Sequence, residues 1–185
     1  MNHVDFYKNW KSHYKYIHDV SKISKERVRC PIIHELISES IIQKYINNTK
    51  SKKTGLFYTC INPPKGVAGD LIKKMEGCED KIIEVKASTS NGPSSFGPAQ
   101  KFDELYWIDM KNIYHSDNVH IYHIKLSSMS DRYLNYNVNK TETICDQKNQ
   151  KRRPRIKMKS FIDSLPSKYV HCRKVNIVNI LNRDT

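Results

Sequence analysis

The sequence predicts a mixed α/β or α+β domain, in which a mixed sheet is flanked by helices. Short runs of β-branched and aromatic residues alternate along the chain with segments of helical periodicity, a pattern typical of sheets covered by helices. The chain has 185 residues, of which 38% are hydrophobic, and this is enough for one domain with a moderate core. Since no internal repeat or long linker divides the chain, we predict a single domain over residues 1–185.

The first predicted elements are a helix and a hairpin. A helix is predicted over Pro31–Tyr45, because a proline opens this segment and isoleucines recur in it at intervals of four residues. The run "LFYTC" predicts a strand, the turn "NPPKG" follows it, and a short strand lies within "VAGDLIKKME". Residues 81–87 form the next strand, and we expect it to pair with the preceding one as a hairpin.

The remaining elements follow the loop "NGPSSFGP". A helix is predicted around Ala99–Trp107, with Leu105, Tyr106 and Trp107 in the core. Further strands are predicted at "NVHIYHIKL" and near "YLNYNV", "PRIKM" and "KYVHCRKVNIVNI". His120 and His123 would lie on opposite faces of the first of these strands, so we interpret them as structural residues and not as metal ligands.

Cysteine usage and hydropathy predict where the protein resides. The five cysteines are widely spaced, odd in number and without a C-x-x-C pair, which indicates free thiols in a reducing compartment. The N-terminal segment lacks an apolar stretch of signal-peptide length, and nowhere do eighteen apolar residues run together. We therefore expect a soluble, cytoplasmic protein that does not bind membranes.

The chain is strongly basic, with 32 lysines and arginines against 19 acidic residues and a net charge of +13. A positive surplus of this size on a small domain attracts polyanions, and nucleic acid is the usual partner. A surface that only maintains solubility, or a basic protein of the ribosomal type, would have the same composition. Charge alone does not separate these classes.

Two opposite charges interrupt the apolar strand at residues 81–87. Because side chains alternate along a strand, Glu84 and Lys86 lie on the same face as Ile82, while Ile83 and Val85 lie on the other. Their Cα atoms would be roughly 6.6–7 Å apart, close enough for both side chains to reach one small ligand. Mutual pairing, solvent at a sheet edge or a bound ion would each offset the cost of burying these charges.

A third acidic residue, Asp70, lies fourteen residues before Glu84. If the two short strands form a hairpin, Asp70 comes to lie beside Glu84. Two adjacent carboxylates repel one another unless a cation separates them, and a hard divalent ion such as Mg²⁺ prefers oxygen ligands of this kind. Lys86 would then orient or help to deprotonate an attacking water and stabilise negative charge on a phosphate.

This arrangement, an aspartate followed by Glu-x-Lys on an apolar strand, resembles the PD-(D/E)xK nuclease superfamily. The run "EVKASTSNGPSSFGPAQKFDELYWID" is similar to the catalytic strand, loop and aromatic-rich helix of small type II restriction endonucleases. The later "QKRRPRIKMK" is similar to an arginine-rich segment near their C-terminus. The resemblance covers mainly residues 66–109 and 147–159, with a weaker likeness at 32–46. Gly69 stands where the motif has its proline, so Asp70 is assigned by its spacing from Glu84.

The resemblance implies a restriction-endonuclease-like PD-(D/E)xK core at about residues 31–126 and a DNA-contacting basic segment at about 147–159. It implies Mg²⁺-dependent hydrolysis of phosphodiester bonds, with Asp70, Glu84 and the main-chain carbonyl of Val85 as metal ligands and Lys86 at the attacking water. The implied enzyme is a type II site-specific deoxyribonuclease that cuts both strands of double-stranded DNA. It would act as a homodimer and be paired with a DNA methyltransferase that protects the genome.

The superfamily often adds a helical glutamate before the motif, and two glutamates are available. We favour Glu39, because Ser38 and Ser40 beside it would permit close approach to the sheet, and Glu35 remains the alternative. The two lie four residues apart and share one stripe of the helix, so a solvated helix face would explain them equally well.

Two polar segments are predicted to contact DNA. Hydroxyl and amide groups in the loop after Lys86 suit phosphates and base edges, and arginines in the basic segment can hold guanine in two hydrogen bonds. The alternatives are a polar surface loop and a clamp that binds phosphates only. The predicted contacts are Ser88, Asn91, Ser94, Ser95, Lys101, Arg152, Arg153, Arg155 and Lys157.

Two other functions are compatible with the sequence. A repair or junction-resolving nuclease of the same fold would prefer mismatched or branched DNA to a specific site. A non-catalytic basic nucleic-acid-binding protein would use Glu84 and Lys86 only as an ion pair.

Overall fold

A computed structural model describes residues 2–24, 33–51 and 54–183. Its helices are α1 (His3–Ser24), α2 (Glu35–Asn47), α3 (Asp131–Leu134), α4 (Ile144–Asn149), α5 (Met158–Asp163) and α6 (Ile177–Leu181), and one 3₁₀ turn covers Ser167–Tyr169. Its strands are β1 (Thr59–Ile61), β2 (Leu71–Lys74), β3 (Lys81–Ser88), β4 (Ser94–Ser95), β5 (Glu104–Asp109), β6 (Asn118–Ile124), β7 (Arg155–Ile156) and β8 (Val170–Asn176).

Six strands form a mixed sheet in the order β1-β2-β3-β5-β6-β8. The central pair, β3 and β5, is parallel, and the other neighbours are antiparallel. A parallel pair needs a crossover connection. Here that connection contains β4, which leaves the large sheet and pairs with β7 in a separate two-stranded ribbon.

Helices cover both faces of the sheet, and each face has its own hydrophobic core. On the first face, α2 packs against β3 and α6 against β8, while α1 lies against α2 and α6, in a core that includes Tyr7, Ile41 and Ile83. On the second, α3, α4, α5 and the ribbon pack against β5 around Trp107 and Phe161. This mixed sheet between helical layers confirms the predicted fold class and is consistent with a restriction-endonuclease-like core.

Several predicted elements are confirmed. Residues 81–87 fall within β3, and β2 pairs with β3 as the expected antiparallel hairpin. The strand at "NVHIYHIKL" is β6. The helix predicted over Pro31–Tyr45 corresponds to α2, which begins at Glu35 with the His34 side chain as its N-cap, while Pro31 lies outside the described residues.

Two predictions about elements were wrong, and one helix was not predicted. The helix expected around Ala99–Trp107 is the strand β5, which is buried on both faces and so shows an unbroken apolar run. The strand expected near "YLNYNV" does not form, because the short helix α3, capped by Ser130, takes in Tyr133 and Leu134, and Asn137 makes only an isolated bridge to Thr143. The long helix α1 was not predicted. Its buried residues recur at intervals of three and four, a helical spacing that could have indicated it.

A cluster of three polar side chains links strands β2, β5 and β6. It lies at the end of the sheet opposite to the Ser88 end of β3. The Glu104 carboxylate accepts hydrogen bonds from Lys73 and from Nε2 of His123, the latter at 2.6 Å. Burial raises the pKa of Glu104, but His123 and Lys73 outweigh it and lower the pKa to about 2. The Glu104 carboxylate is stabilised by hydrogen bonds from the other two side chains. We therefore interpret His123 as a structural residue, as its position in β6 predicted.

Two absences concern the described residues alone. None of the helices in residues 2–24, 33–51 and 54–183 has the length and apolarity needed to cross a bilayer. Four cysteines in these ranges, Cys60, Cys78, Cys145 and Cys172, are free thiols, as predicted.

Candidate active site

The predicted catalytic residues meet where β2 stops pairing with β3. The ladder between these strands ends at the pair Leu71–Ile83. Immediately beyond it, the Asp70 N–H donates to the Ile83 carbonyl at 2.9 Å, and the Asp70 carboxylate accepts from the Val85 N–H at 2.7 Å. Asp70 is thereby fixed against the edge of β3, beside Glu84.

Glu84 and Lys86 lie on the same face of β3, as the alternation of side chains predicted. Lys86 Nζ donates to Oε1 of Glu84. The Glu84 side chain is 0% exposed, whereas Lys86 remains 22% exposed. Oε2 of Glu84 is buried and has no hydrogen-bond donor within the described ranges, and an ionised Asp70 beside it cannot provide one. A buried carboxylate oxygen therefore lacks the donor or cation that would stabilise its charge.

Burial raises the pKa of both carboxyl groups, and a hydrogen bond between them lowers the pKa of Asp70 and raises that of Glu84. Burial, opposed by the Val85 hydrogen bond and the Lys86 charge, raises the pKa of Asp70. Burial raises the pKa of Glu84 to about 7, with a further increase from the Asp70 charge and an opposing effect of Lys86. Glu84 is thus poised to bind either a proton or a cation near neutral pH.

Gly69 explains why the proline of the superfamily motif is missing. Its φ is +90°, a value that proline cannot adopt and that side chains rarely adopt. A Cβ atom built on Gly69 would lie 2.4 Å from Cγ2 of Ile82 and 3.1 Å from the Ile83 carbonyl oxygen. The chain therefore needs glycine here to bring Asp70 onto β3.

Helix α2 approaches the same edge of β3. Burial raises the pKa of Glu39, the Asp70 and Glu35 charges add to this, and Lys86 opposes it. Glu35 also raises the pKa of Asp70. Glu39 is half-buried and Glu35 is exposed, so Glu39 stays the favoured candidate and a role for either glutamate stays a prediction.

The donor set fits a hard divalent cation held by few protein ligands. No group of three His, Cys, Asp or Glu side chains among residues 2–24, 33–51 and 54–183 is arranged to hold a metal ion. Mg²⁺ commonly uses one or two carboxylates and keeps several waters, so Asp70 and Glu84 suffice for it. A protonated Glu84 can donate a hydrogen bond to Asp70, whereas Oε2 of an ionised Glu84 has no partner among the described residues, and it is the ionised form that favours a cation here.

The predicted DNA contacts divide between the ribbon and its surroundings. Ser95 pairs with Arg155 across β4 and β7, so the serine loop and the basic segment form one surface. Lys101 and Arg153 are exposed on loops. Arg152 donates to the Glu142 carboxylate, and Ser88 accepts from the Trp107 indole at 3.0 Å, so both side chains already have roles within the fold.

A cavity of about 270 Å³ lies between the loop after β3 and the start of α5. Asn91 and Lys157, both predicted DNA contacts, line it, together with Lys111, Lys159 and the Trp107 ring. Lys111 was not predicted, since it is a single lysine two residues after a strand. Lys111 pairs with Asp109 and Lys159 with Asp163, so Lys157 is the cavity lysine best suited to an anion.

Comparisons with known proteins agree with this geometry. A family model described as Bsp6I restriction endonuclease matches residues 1–164. The type II restriction enzyme Bsp6I of Bacillus sp. (strain RFL6) is 33% identical over 122 residues, which are 63% of this chain and 66% of that enzyme. The matched region thus spans slightly less than two thirds of the relative. No solved structure matches the chain.

Proposed function

Because this chain belongs to the Bsp6I restriction endonuclease family, we propose that it is a type II restriction endonuclease that cuts double-stranded DNA at a short recognition sequence. The observation that carries the proposal is the meeting of Asp70, Glu84 and Lys86 at one edge of β3, with a buried and unpartnered carboxylate oxygen between them. We treat residues 1–185 as one domain, with a catalytic core at about 31–126 and a DNA-contacting segment at about 147–159.

We assign Mg²⁺ as the cofactor, held by Asp70, Glu84 and the main-chain carbonyl of Val85. When bound, the ion would supply Lewis-acid activation of a water and of the scissile phosphate. The protein itself contributes by holding these ligands in position. The Val85 N–H holds Asp70 in place, and burial keeps bulk water from Glu84.

Lys86 has the role of orienting the attacking water and stabilising charge on the phosphate. Its ammonium is held by Glu84 and lies 5.3 Å from the centre of the Phe96 ring, which limits its freedom while leaving part of it accessible. We propose that Glu39 supports the site from α2, where the Asp70 charge raises the pKa of its carboxyl group.

The partners follow from the substrate. A homodimer would place one site on each strand of a palindromic sequence, since its two-fold axis would match that of the DNA. A methyltransferase would protect the host genome, and the enzyme would reside in the cytoplasm together with the DNA.

Plasmid digestion with Mg²⁺ tests the proposed activity. The wild type is expected to give discrete fragments, which disappear when EDTA removes the metal. Lys86→Ala is expected to reduce cleavage at least 100-fold while largely retaining DNA binding in a gel-shift assay, because Lys86 acts on the water and not on affinity. Lys81→Ala is the matched control, since Lys81 begins the same strand and lies remote from Asp70.

Each rival function gives a different result in the same assay. Cutting confined to branched or mismatched substrates would indicate a repair or junction-resolving nuclease. Absence of metal-stimulated cleavage by the wild type would leave a non-catalytic nucleic-acid-binding protein.

A further inference from the structure

The ribbon formed by β4 and β7 joins two segments that lie about sixty residues apart in the sequence. Ser94 pairs with Ile156 and Ser95 with Arg155, and the Phe96 N–H donates to the Pro154 carbonyl at 2.9 Å. The loop that leaves the catalytic strand is therefore tied to the basic segment by main-chain pairing.

One face of the ribbon is anchored in the second core. Ile156 is 0% exposed and Phe96 is 1% exposed, and Phe96 packs against Phe102 and Tyr133 at ring-centre distances of 6.2 Å. Side chains alternate along a strand, so Arg155 points away from this core and is exposed. Since Phe96 also contacts the Lys86 ammonium, the ribbon holds Arg155 at a fixed position relative to the catalytic lysine.

The three arginines of the basic segment differ in what they can bind. Arg152 donates to Glu142, whose carboxylate also accepts from Asn139 and Gln147, so its guanidinium is already held. Arg153 precedes Pro154 in a loop without strand pairing. Arg155 is on a paired strand, and its guanidinium has no ion-pair partner in the part of the chain that the structure describes.

We infer that Arg155 is a specificity-determining residue that reads a guanine of the recognition sequence, an inference that rests on the proposed function. A two-stranded ribbon fits the major groove, and a guanidinium there donates two hydrogen bonds to O6 and N7 of guanine. An arginine on a rigid strand loses little freedom when it forms that pair. Ser95, opposite Arg155, contacts the neighbouring base edge or phosphate, and Arg153 contacts the backbone without reading sequence.

The experiment starts from the recognition sequence, obtained by sequencing the fragment ends of wild-type digests. Synthetic duplexes then carry 7-deazaguanine, which lacks N7, at one guanine at a time. Wild-type cleavage is expected to fall about 5- to 150-fold at the guanine that Arg155 reads, the range of one good bidentate contact. Arg155→Ala is expected to cut the unmodified duplex slowly and to show little further loss at that position.

Two control variants separate base reading from charge. Arg155→Lys keeps the charge but not the planar fork, so it should bind non-specific DNA as the wild type does yet lose discrimination at that guanine. Arg153→Ala should weaken cleavage of all sequences and remain as sensitive to 7-deazaguanine as the wild type. Circular dichroism and thermal unfolding of Arg155→Ala check that the ribbon is intact, because Arg155 is exposed and its loss should not unfold the protein.

The outcomes distinguish this inference from the proposed function. A recognition sequence without guanine, or an Arg155→Ala enzyme as sensitive to 7-deazaguanine as the wild type, would overturn the role of Arg155 and leave the endonuclease intact. A wild type that cuts no specific site would overturn both.

Discussion

At the scale of single residues, Glu84 is held in a position that destabilises the fold. Its carboxylate is fully buried beside Asp70, and burial followed by that charge raises its pKa to about 7, whereas an unfolded glutamate titrates near 4.5. A raised carboxyl pKa means that the folded state binds the proton more tightly. The protonated Glu84 side chain therefore contributes stability that is fully present below about pH 4.5 and is lost as the pH rises to about 7.

We predict that Glu84→Gln is more stable than the wild type near pH 8 in the absence of divalent ions. The difference in free energy of unfolding should be on the order of 3 kcal/mol at pH 8 and near zero at pH 4.5, since glutamine resembles the protonated acid. Urea unfolding across this pH range measures it, and the exposed Glu76→Gln is the control. Mg²⁺ should stabilise the wild type but not Glu84→Gln. Parallel pH profiles for the two proteins would contradict the raised pKa of the buried Glu84 carboxyl group.

The residues of the site could be predicted from the sequence to different degrees. The spacing of Asp70, Glu84 and Lys86 was sufficient to predict that they lie close together. Strand alternation places Glu84 and Lys86 on one face, and the hairpin brings Asp70 beside them. The need for Gly69 was not predictable, since it depends on the approach of Ile82 across the hairpin. The sequence also did not predict that Arg152 is paired within the fold while Arg155 is exposed on a paired strand. This difference depends on the contact of Arg152 with Glu142 and on the pairing of β7 with β4.

At the scale of elements, β5 shows why local patterns misled the prediction. The run "ELYWID" contains apolar residues on both faces, and such a run fits a buried helix or a central strand. Only the neighbours decide between them. Leu105 and Trp107 enter the second core, while Tyr106 and Ile108 enter the first, so the extended form buries all four.

Helix α1 is held in place by tertiary packing of an aromatic stripe. Tyr7, Trp10 and Tyr14 stack in sequence along the helix and face the first core, and the Tyr7 hydroxyl donates to Asp117 at 2.6 Å. Their spacing of three and four residues is that of one helix face, so the sequence contained a signal for α1 that the prediction did not use. Its stability comes from contacts that form only in the folded chain.

We therefore predict unequal effects of two aromatic substitutions on α1. Trp10→Ala should lower the free energy of unfolding by about 3–5 kcal/mol, because the ring is 9% exposed and its loss leaves a cavity in the first core. Tyr16→Ala should change it by less than about 0.5 kcal/mol, because Tyr16 is 65% exposed. Chemical denaturation of both variants measures the two changes in free energy of unfolding. Similar losses in the two would mean that α1 does not pack as described.

At the scale of the whole molecule, the proposed binding of DNA would use only the part of the net charge of +13 that faces the DNA. The ribbon and the lysine-lined cavity flank the Lys86 side of the sheet and place Arg155 and Lys157 on one surface. Other basic groups, such as Lys73 with Glu104 and Lys11 with Asp117, are paired within the fold. Affinity for DNA should therefore depend on a subset of the 32 basic residues and not on their total.

Salt dependence of binding tests this division. Each phosphate contact contributes about −0.9 to the slope of log affinity against log salt concentration. We predict that Lys157→Ala reduces the magnitude of this slope by about one for a non-specific duplex in EDTA, because Lys157 lines the cavity and has no ion-pair partner within the described ranges. Arg152→Ala removes the same charge but should leave the slope nearly unchanged, since Glu142 already holds that guanidinium. Fluorescence anisotropy at several salt concentrations measures both slopes, and an equal reduction in the two variants would show that charge acts through its total.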